Sequence, residues 1–386
     1  MDFDLQWFLL ALPVAFALGW MASRLDLRQW KREQRESPTA YFKGLNLLLN
    51  EQQDKAIDAF IEAVQHDPDT SDLHFALGNL FRRRGEYERA VRVHQHLLNR
   101  ADLPAAERDR AQHGLAQDYM KAGLFDRAEE AWTALEGTAF DTEARLALLT
   151  LHERSRDWRA AVEDAHKLDR SSGTGSYDAR IAHYWCELAQ EADARGQAAD
   201  AHDAVHKARE AAPQAARPLV LAGQRASAAG DHEQALQHWR QLLATHPGVF
   251  VLVAGDFASS ALAAGQSAAA LDELRSLYTQ APSLDLLSAI AMLDADLAGQ
   301  RRRLAQHLHT HPSLSAAREL LRLRVAERGA GEDAEAHDIE AAIAHAAKPL
   351  QRYRCAACGF EAHHYFWQCP GCLSWDSYPT QRLEDL

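Results

Sequence analysis

A period of thirty-four residues constrains this chain more than any other feature of it. Gly44 is followed by Gly78, and Ala56 by Ala90, at that spacing. Within the first unit, residues 41–68, two short helical patterns run back to back. Ala56, Phe60 and Ala63 fall at i, i+4 and i+7, which puts them on one helix face. Pro68 closes the unit because it cannot continue a helix. A fixed period of this size marks stacked helix pairs. Two helices cross closely only where side chains are small, so Gly or Ala recurs at the crossing. A large residue such as Phe60 fills the space toward the next pair. One pair cannot bury its apolar face alone, and stacking several makes a continuous core.

The units run down the chain. The second has Leu77-Gly78, Phe81, Gly85 and Ala90; the third has Ala116, Tyr119, Gly123, Ala128 and Trp132. The fourth keeps Asp157-Trp158 and Ala161, but Leu149 stands where its first helix should be small. The fifth has Trp185, Ala189, Gly196, Ala201 and Ala208; the sixth has Gly223, Gly230, Ala235 and Trp239; the seventh has Ala258, Gly265 and Ala270. A degenerate eighth spans residues 283–312, and residues 313–328 and 332–347 read as two more helices. These residues resemble the tetratricopeptide repeat. The fold expected is all-α: a right-handed tetratricopeptide-repeat solenoid over 38–348, with an N-terminal transmembrane helix and a small C-terminal rubredoxin-like metal ribbon. Residues 102–106 are an insertion, and Ser171 to Ser176 form a long turn.

The N-terminal transmembrane helix rests on residues 5–22, an apolar run broken by one strongly polar side chain, Gln6. A helix of that length rises about 27 Å, enough to cross a hydrocarbon core. Trp7 and Trp20 lie near its two ends, where amphipathic rings favour the interface. Asp2 and Asp4 precede the run, unlike the basic start of a cleaved signal. Arg24, Arg28, Lys31, Arg32 and Arg35 follow it, so the positive-inside rule keeps the body in the cytoplasm and the N-terminus outside. The expected domains are thus a retained anchor at 1–23, a charged juxtamembrane linker at 24–37, the repeats at 38–348 and the metal module at 349–386.

Net charge is −13, which argues against broad nucleic-acid binding, a task that needs a basic stripe. The runs Arg82-Arg83-Arg84 and Arg301-Arg302-Arg303 are read as solvated helix faces. No Gly-rich phosphate loop, G-x-S-x-G or H-E-x-x-H occurs in the repeats, and no catalytic residue is expected. His307, His309 and His311 alternate near a helix end, where only the first and last share a face. The work expected of such repeats is binding: first helices line a groove that receives extended peptides, helices or edges of partners.

Five cysteines are present; four lie in the last thirty-two residues and Cys186 stands alone as a buried thiol. Cys355, Cys358, Cys369 and Cys372 make C-x2-C-x10-C-x2-C. Each C-x-x-C forms a knuckle, and two facing knuckles give a tetrahedral four-sulfur site for one metal ion, zinc or iron. The C-G and C-P-x-C elements look like the knuckles of rubredoxin. The ten-residue spacer and Leu373, where a second knuckle usually has Gly, depart from that pattern and speak against electron transfer. His363-His364 is read as facing solvent. A module this small needs its ion to fold. Tyr353, Phe360, Tyr365, Phe366, Trp367, Trp375 and Tyr378 are more aromatic surface than it can hide, so part should pack on the repeats and make the ion a clamp.

Anchor, repeats and four-cysteine module in this order resemble the lipopolysaccharide assembly protein B family across nearly the full length. The carrying residues are Leu12-Pro13-Val14 and Gly19-Trp20 in the anchor, the repeats, and Cys355 to Trp375. The resemblance implies a non-enzymatic inner-membrane adaptor. It implies three partners: the membrane AAA+ protease FtsH, the lipid A pathway deacetylase that FtsH degrades, and an inner-membrane sensor of lipopolysaccharide. A second copy of the chain is a further partner, with the oligomeric state left open. The alternative is a general co-chaperone or assembly scaffold for envelope enzymes; an electron carrier or a metalloenzyme fits less well.

Overall fold

The computed structural model describes residues 16, 20, 42–47, 49–50, 52–66, 70–172, 177–328 and 334–385. The linker, Pro68 and residues 173–176 of the expected turn lie outside the described residues, as does the anchor apart from Phe16 and Trp20; Ser171 and Ser172, expected in that turn, instead end the helix Trp158–Ser172. Among the described residues, no helix is long and apolar enough to cross a membrane.

Helices follow one another in pairs along the chain. Residues 42–47 are helical and precede Gln53–His66. Ser71–Arg83 pairs with Tyr87–Leu98, Ala105–Ala122 with Phe125–Thr133, and Asp141–Ser155 precedes Trp158–Ser172. Asp178–Ala194 pairs with Ala198–Ala211, and Ala216–Ala228 with His232–Thr245. The seventh pair opens on a broken helix, Pro247–Phe250, Val251–Val253 and Ala254–Ala263, and closes with Ser267–Gln280. Leu284–Leu293 is followed by Leu297–Thr310, and the two extra helices form a ninth pair, Leu314–Arg328 with Ala334–Ala347. The chain divides into two compact units, Met1–Leu151 and His152–Leu386, and the C-terminal ribbon belongs to the second.

The crossing within a pair obeys one offset. A small residue in the first helix seats a large one sixteen positions on. A Cβ on Gly44 would lie 2.8 Å from the Phe60 ring, and one on Gly223 would lie 2.2 Å from Trp239 Nε1. Ala116 and Trp132 share one buried cluster, as do Ala258 and Leu274. In the fourth repeat the sizes are exchanged along the sequence, Leu149 then Ala165, both buried. Phe60 and Trp239 are fully buried, each stabilising its pair by about 2–3 kcal/mol.

At the same offset from Gly78 stands His94, 1% exposed. A Cβ on either Gly78 or Gly114 would collide with its imidazole, at 2.6 and 2.7 Å. A histidine in this apolar position needs a polar partner. Asp118, from the next first helix, supplies it: Oδ2 lies 2.5 Å from His94 Nδ1. Arg82 Nη1 donates to Asp118 Oδ1 at 2.8 Å and to the Gly114 carbonyl at 3.1 Å. This corrects the reading of a solvated face for Arg82 alone; Arg83 and Arg84 are exposed. Asp118 is fully buried, and an uncompensated carboxylate there would be costly, so Arg82 folds inward to meet it. Arg84 pairs with Asp54, and only Arg83 of the three has no ion-pair partner among the described residues. The second run is likewise engaged, through Arg303 with Asp294 at 2.8 Å.

The turn between paired helices places Gly85, Gly123, Gly196, Gly230 or Gly265 at positive φ. The fourth repeat puts Arg156 there instead, at φ 60.

Candidate metal centre and its seat on the repeats

The ribbon's two knuckles are built alike. In the first, the Gly359 N–H donates to the Cys355 carbonyl at 2.9 Å, and the Cys355 N–H to the Phe360 carbonyl at 2.9 Å. In the second, Leu373 donates to Cys369 at 2.8 Å, and Cys369 to Ser374 at 2.9 Å. The residue after each C-x-x-C is left-handed, Gly359 at φ 79 and Leu373 at φ 60. Glycine adopts that conformation freely, and leucine does so only against its own Cβ. A short antiparallel pair, β1 (Tyr353–Arg354) with β2 (Glu361–Ala362), carries the first knuckle. A bridge between Gln368 and Trp375 closes the second.

The knuckles bring Cys355, Cys358, Cys369 and Cys372 together, their sulfurs all within 4.8 Å of one another. Cys355 Sγ lies 3.8 Å from Cys372 Sγ, and Cys358 Sγ 3.7 Å from Cys369 Sγ. A tetrahedral ion with sulfurs at about 2.3 Å requires sulfur–sulfur edges of about 3.8 Å, so the donor set fits one metal ion. Ser377 Oγ is 3.2 Å from Cys355 Sγ and Ser374 Oγ 3.3 Å from Cys372 Sγ, and the Gly371 N–H donates to Cys369 Sγ at 3.4 Å. Burial works against the Cys355 thiolate, but the Ser377 hydroxyl and the backbone N–H groups of Cys358 and Ala357 outweigh it and hold the thiol down at about 6. The Phe360 N–H favours the Cys358 thiolate, yet burial and the three neighbouring sulfurs push that thiol up to about 12. Four sulfurs this close cannot all ionise unless a cation shares the charge.

The expected packing of ribbon aromatics on the repeats is found, on first helices and on Trp158 at the start of a second helix. Trp375 stacks on His183 with centroids 4.6 Å apart and meets Tyr184 and Trp158 edge-on at 5.8 and 6.0 Å. Its Nε1–H donates to Glu153 Oε1 at 2.9 Å. Glu153, buried, also accepts from Arg180 Nη2 and from the Tyr184 hydroxyl, each at 2.6 Å. Burial raises the Tyr184 hydroxyl pKa, and the Glu153 charge raises it further, so it stays a donor. Asp376 Oδ2 lies 2.8 Å from His183 Nε2. Arg217, held by Glu187 at 2.6 Å, sets its guanidinium 5.8 and 5.7 Å from the rings of Trp367 and Trp375. The tail continues the contact: Arg382 pairs with Asp285 at 2.9 Å, and Glu384 accepts from the Ser315 N–H at 2.8 Å. In the second unit, therefore, the first-helix face expected to be a partner groove carries the chain's own ribbon.

The other candidates stay apart from the centre. Cys186 is fully buried, and burial pushes its thiol up to about 12. His307 and His311 share a face, stacked at 5.2 Å, with the Tyr278 hydroxyl 2.9 Å from His307 Nδ1; among the described residues the four cysteines are the only metal-ligating group found. His363 and His364 are exposed. Sequence reasoning missed Glu153, His183 and Arg217 as the seat of the ribbon. The signal available was a charged or polar residue at an otherwise apolar helix position.

A family model described as a rubredoxin metal binding domain matches residues 353–378. Over a 390-residue alignment the chain is 30% identical to lipopolysaccharide assembly protein B of Escherichia coli strain K12, covering 99% of this chain and 100% of that protein. The Haemophilus influenzae protein of the same name is 27% identical, covering 95% and 96%. Among solved structures, a tetratricopeptide repeat protein from Parabacteroides merdae covers 67% of this chain and 98% of that one, at 13% identity and a TM-score of 0.33, too weak a likeness to argue from. The chain belongs to the lipopolysaccharide assembly protein B family.

Proposed function

We propose that this chain is a non-enzymatic adaptor that regulates lipopolysaccharide biosynthesis. In this reading residues 1–23 hold it in the bacterial inner membrane with its body in the cytoplasm. The repeats then present the lipid A pathway deacetylase to the membrane protease FtsH, and an inner-membrane lipopolysaccharide sensor restrains the process through the anchor region. The observation that carries the reading is the end-to-end match to proteins named for lipopolysaccharide assembly. The physics agrees: an adaptor and a protease confined to one bilayer meet at raised effective concentration without any new contact. A closed four-sulfur site leaves no open position for substrate, so the ion, zinc or iron, is structural and cross-links the two knuckles.

Deleting the gene should lengthen the deacetylase half-life in a pulse-chase measurement, and the full chain should restore it. A chain beginning at Pro38 should still bind the deacetylase yet leave its half-life long. Unchanged turnover in the deletion strain would sink the adaptor reading; full rescue by the chain lacking the anchor would sink the role given to the membrane.

A further inference from the structure

Beside the docked ribbon, the second unit keeps an open cleft of about 460 Å³. One wall is the end of a first helix and its turn, with Arg154 and Arg156; the other is ribbon, with Phe366, Pro370 and Leu373. Gln190 lies on the repeat side. Three charges in the floor are already consumed: Glu153 by Arg180, Tyr184 and Trp375, and Glu187 and Arg217 by each other. Arg154 and Arg156 are exposed and have no ion-pair partner among the described residues. Both guanidiniums sit on one side of the cleft, on a chain of net charge −13. Opposite them Phe366 is 37% exposed.

The backbone adds an independent sign. Among the described residues, three that are not glycine have positive φ: Arg156, Leu373 and Asp376. Two of them line this cleft, and the third docks the ribbon beside it. Left-handed non-glycine backbone is costly and persists where surrounding structure holds it; such residues gather at ligand clamps. In the other described turns of this kind the chain uses glycine, so Arg156 places a guanidinium at the cleft against local preference.

We propose that this seam between ribbon and repeats binds an acidic, partly apolar peptide segment of a partner protein. Carboxylates pair with Arg154 and Arg156, and an apolar side chain covers Phe366 and Leu373. The proposal rests on the adaptor reading and names where that adaptor grips a protein. Charge complementarity selects the occupant: guanidinium forks match carboxylates, and the apolar wall excludes a fully hydrated anion as the whole ligand.

The test uses the full chain in detergent and a fluorescein-labelled decapeptide alternating Glu and Leu, with an alternating Lys and Leu decapeptide as control, read by fluorescence anisotropy. Arg154→Ala combined with Arg156→Gly removes both charges while giving the turn its preferred residue, so the fold is not at risk. Wild type should bind the Glu peptide and not the Lys peptide, and the double variant should bind about tenfold more weakly. Phe366→Ser, with both arginines intact, should weaken binding several-fold. Equal binding by the double variant, or equal binding of the two peptides, overturns the proposal. Sedimentation covers the other occupant: a dimer that dissociates on the double substitution assigns the cleft to a second copy and overturns it too. The adaptor reading fails separately, if gene deletion leaves deacetylase turnover unchanged, whatever the peptide does.

Discussion

Trp375 donates its indole N–H to Glu153 at 2.9 Å, although 222 residues separate the two in sequence. Glu153 sits near the end of the fourth repeat's first helix with 6% of its surface exposed, and three donors converge on one of its oxygens. Trp375→Phe keeps the stack on His183 and removes one donor. It should cost about 1–2 kcal/mol in chemical denaturation. Glu153→Ala takes the shared acceptor from Arg180, Tyr184 and Trp375 and should cost more, about 3 kcal/mol. A double-mutant cycle would show coupling between the two positions; simple additivity would mean the hydrogen bond does not hold the ribbon.

Gly223→Ala should destabilise although alanine is the better helix former. The new Cβ would lie 2.2 Å from Trp239 Nε1 and 2.5 Å from Cε2, and Trp239 is fully buried, so the indole has nowhere to go. Overpacking of this kind costs about 1–3 kcal/mol, more than the roughly 1 kcal/mol that helix propensity returns. Gly255→Ala is the control, since a Cβ there meets nothing within 4 Å. It should raise stability by up to about 1 kcal/mol. Thermal melts of the two variants should move in opposite directions.

The period and the four cysteines were legible because both are local signals: a repeated spacing, and ligands with two and ten residues between them. The sixteen-residue offset was half legible. Phe60 and Trp239 read as large core residues, but His94 did not, because its burial depends on Asp118 and Arg82 from elsewhere in the array. The seat of the ribbon was legible only from one side. An excess of aromatics foretold that the ribbon must pack on something, while the polar or charged residue at an apolar helix position, which Glu153, His183 and Arg217 share, does not say what it faces. Such contacts are fixed by how helix pairs stack, which no short window contains. The left-handed Arg156 was hidden for the opposite reason, since a residue disfavoured at its site gives no propensity signal.

The two knuckles differ at one residue, and that difference predicts a tolerance. Gly359 and Leu373 hold equivalent left-handed positions, and the second carries a full side chain. Gly359→Ala adds a Cβ that meets nothing within 4 Å, so its cost is conformational alone, about 1–2 kcal/mol. The variant should fold and hold its ion, losing it to a chelator roughly tenfold faster. A variant that cannot hold the ion would mean the equivalence of the knuckles is only apparent.

Removing the ion should reach the repeats. Cys355→Ser with Cys358→Ser dismantles the first knuckle, and a ribbon with so small a core of its own does not fold without its ion. Once it lets go, His183 loses Asp376, Glu153 loses Trp375, and the faces of Trp158 and Tyr184 that met Trp375 open to water. Hydrogen exchange should therefore quicken in Asp178–Ala194 and Ala216–Ala228 by about two orders of magnitude. Ser71–Arg83, in the other compact unit, should keep its protection. Chelation of the wild-type ion should reproduce the same map, and adding metal back should reverse it in the wild type but not in the double variant. Unaltered exchange in the two second-unit helices would show that the ribbon rests on the repeats without bracing them.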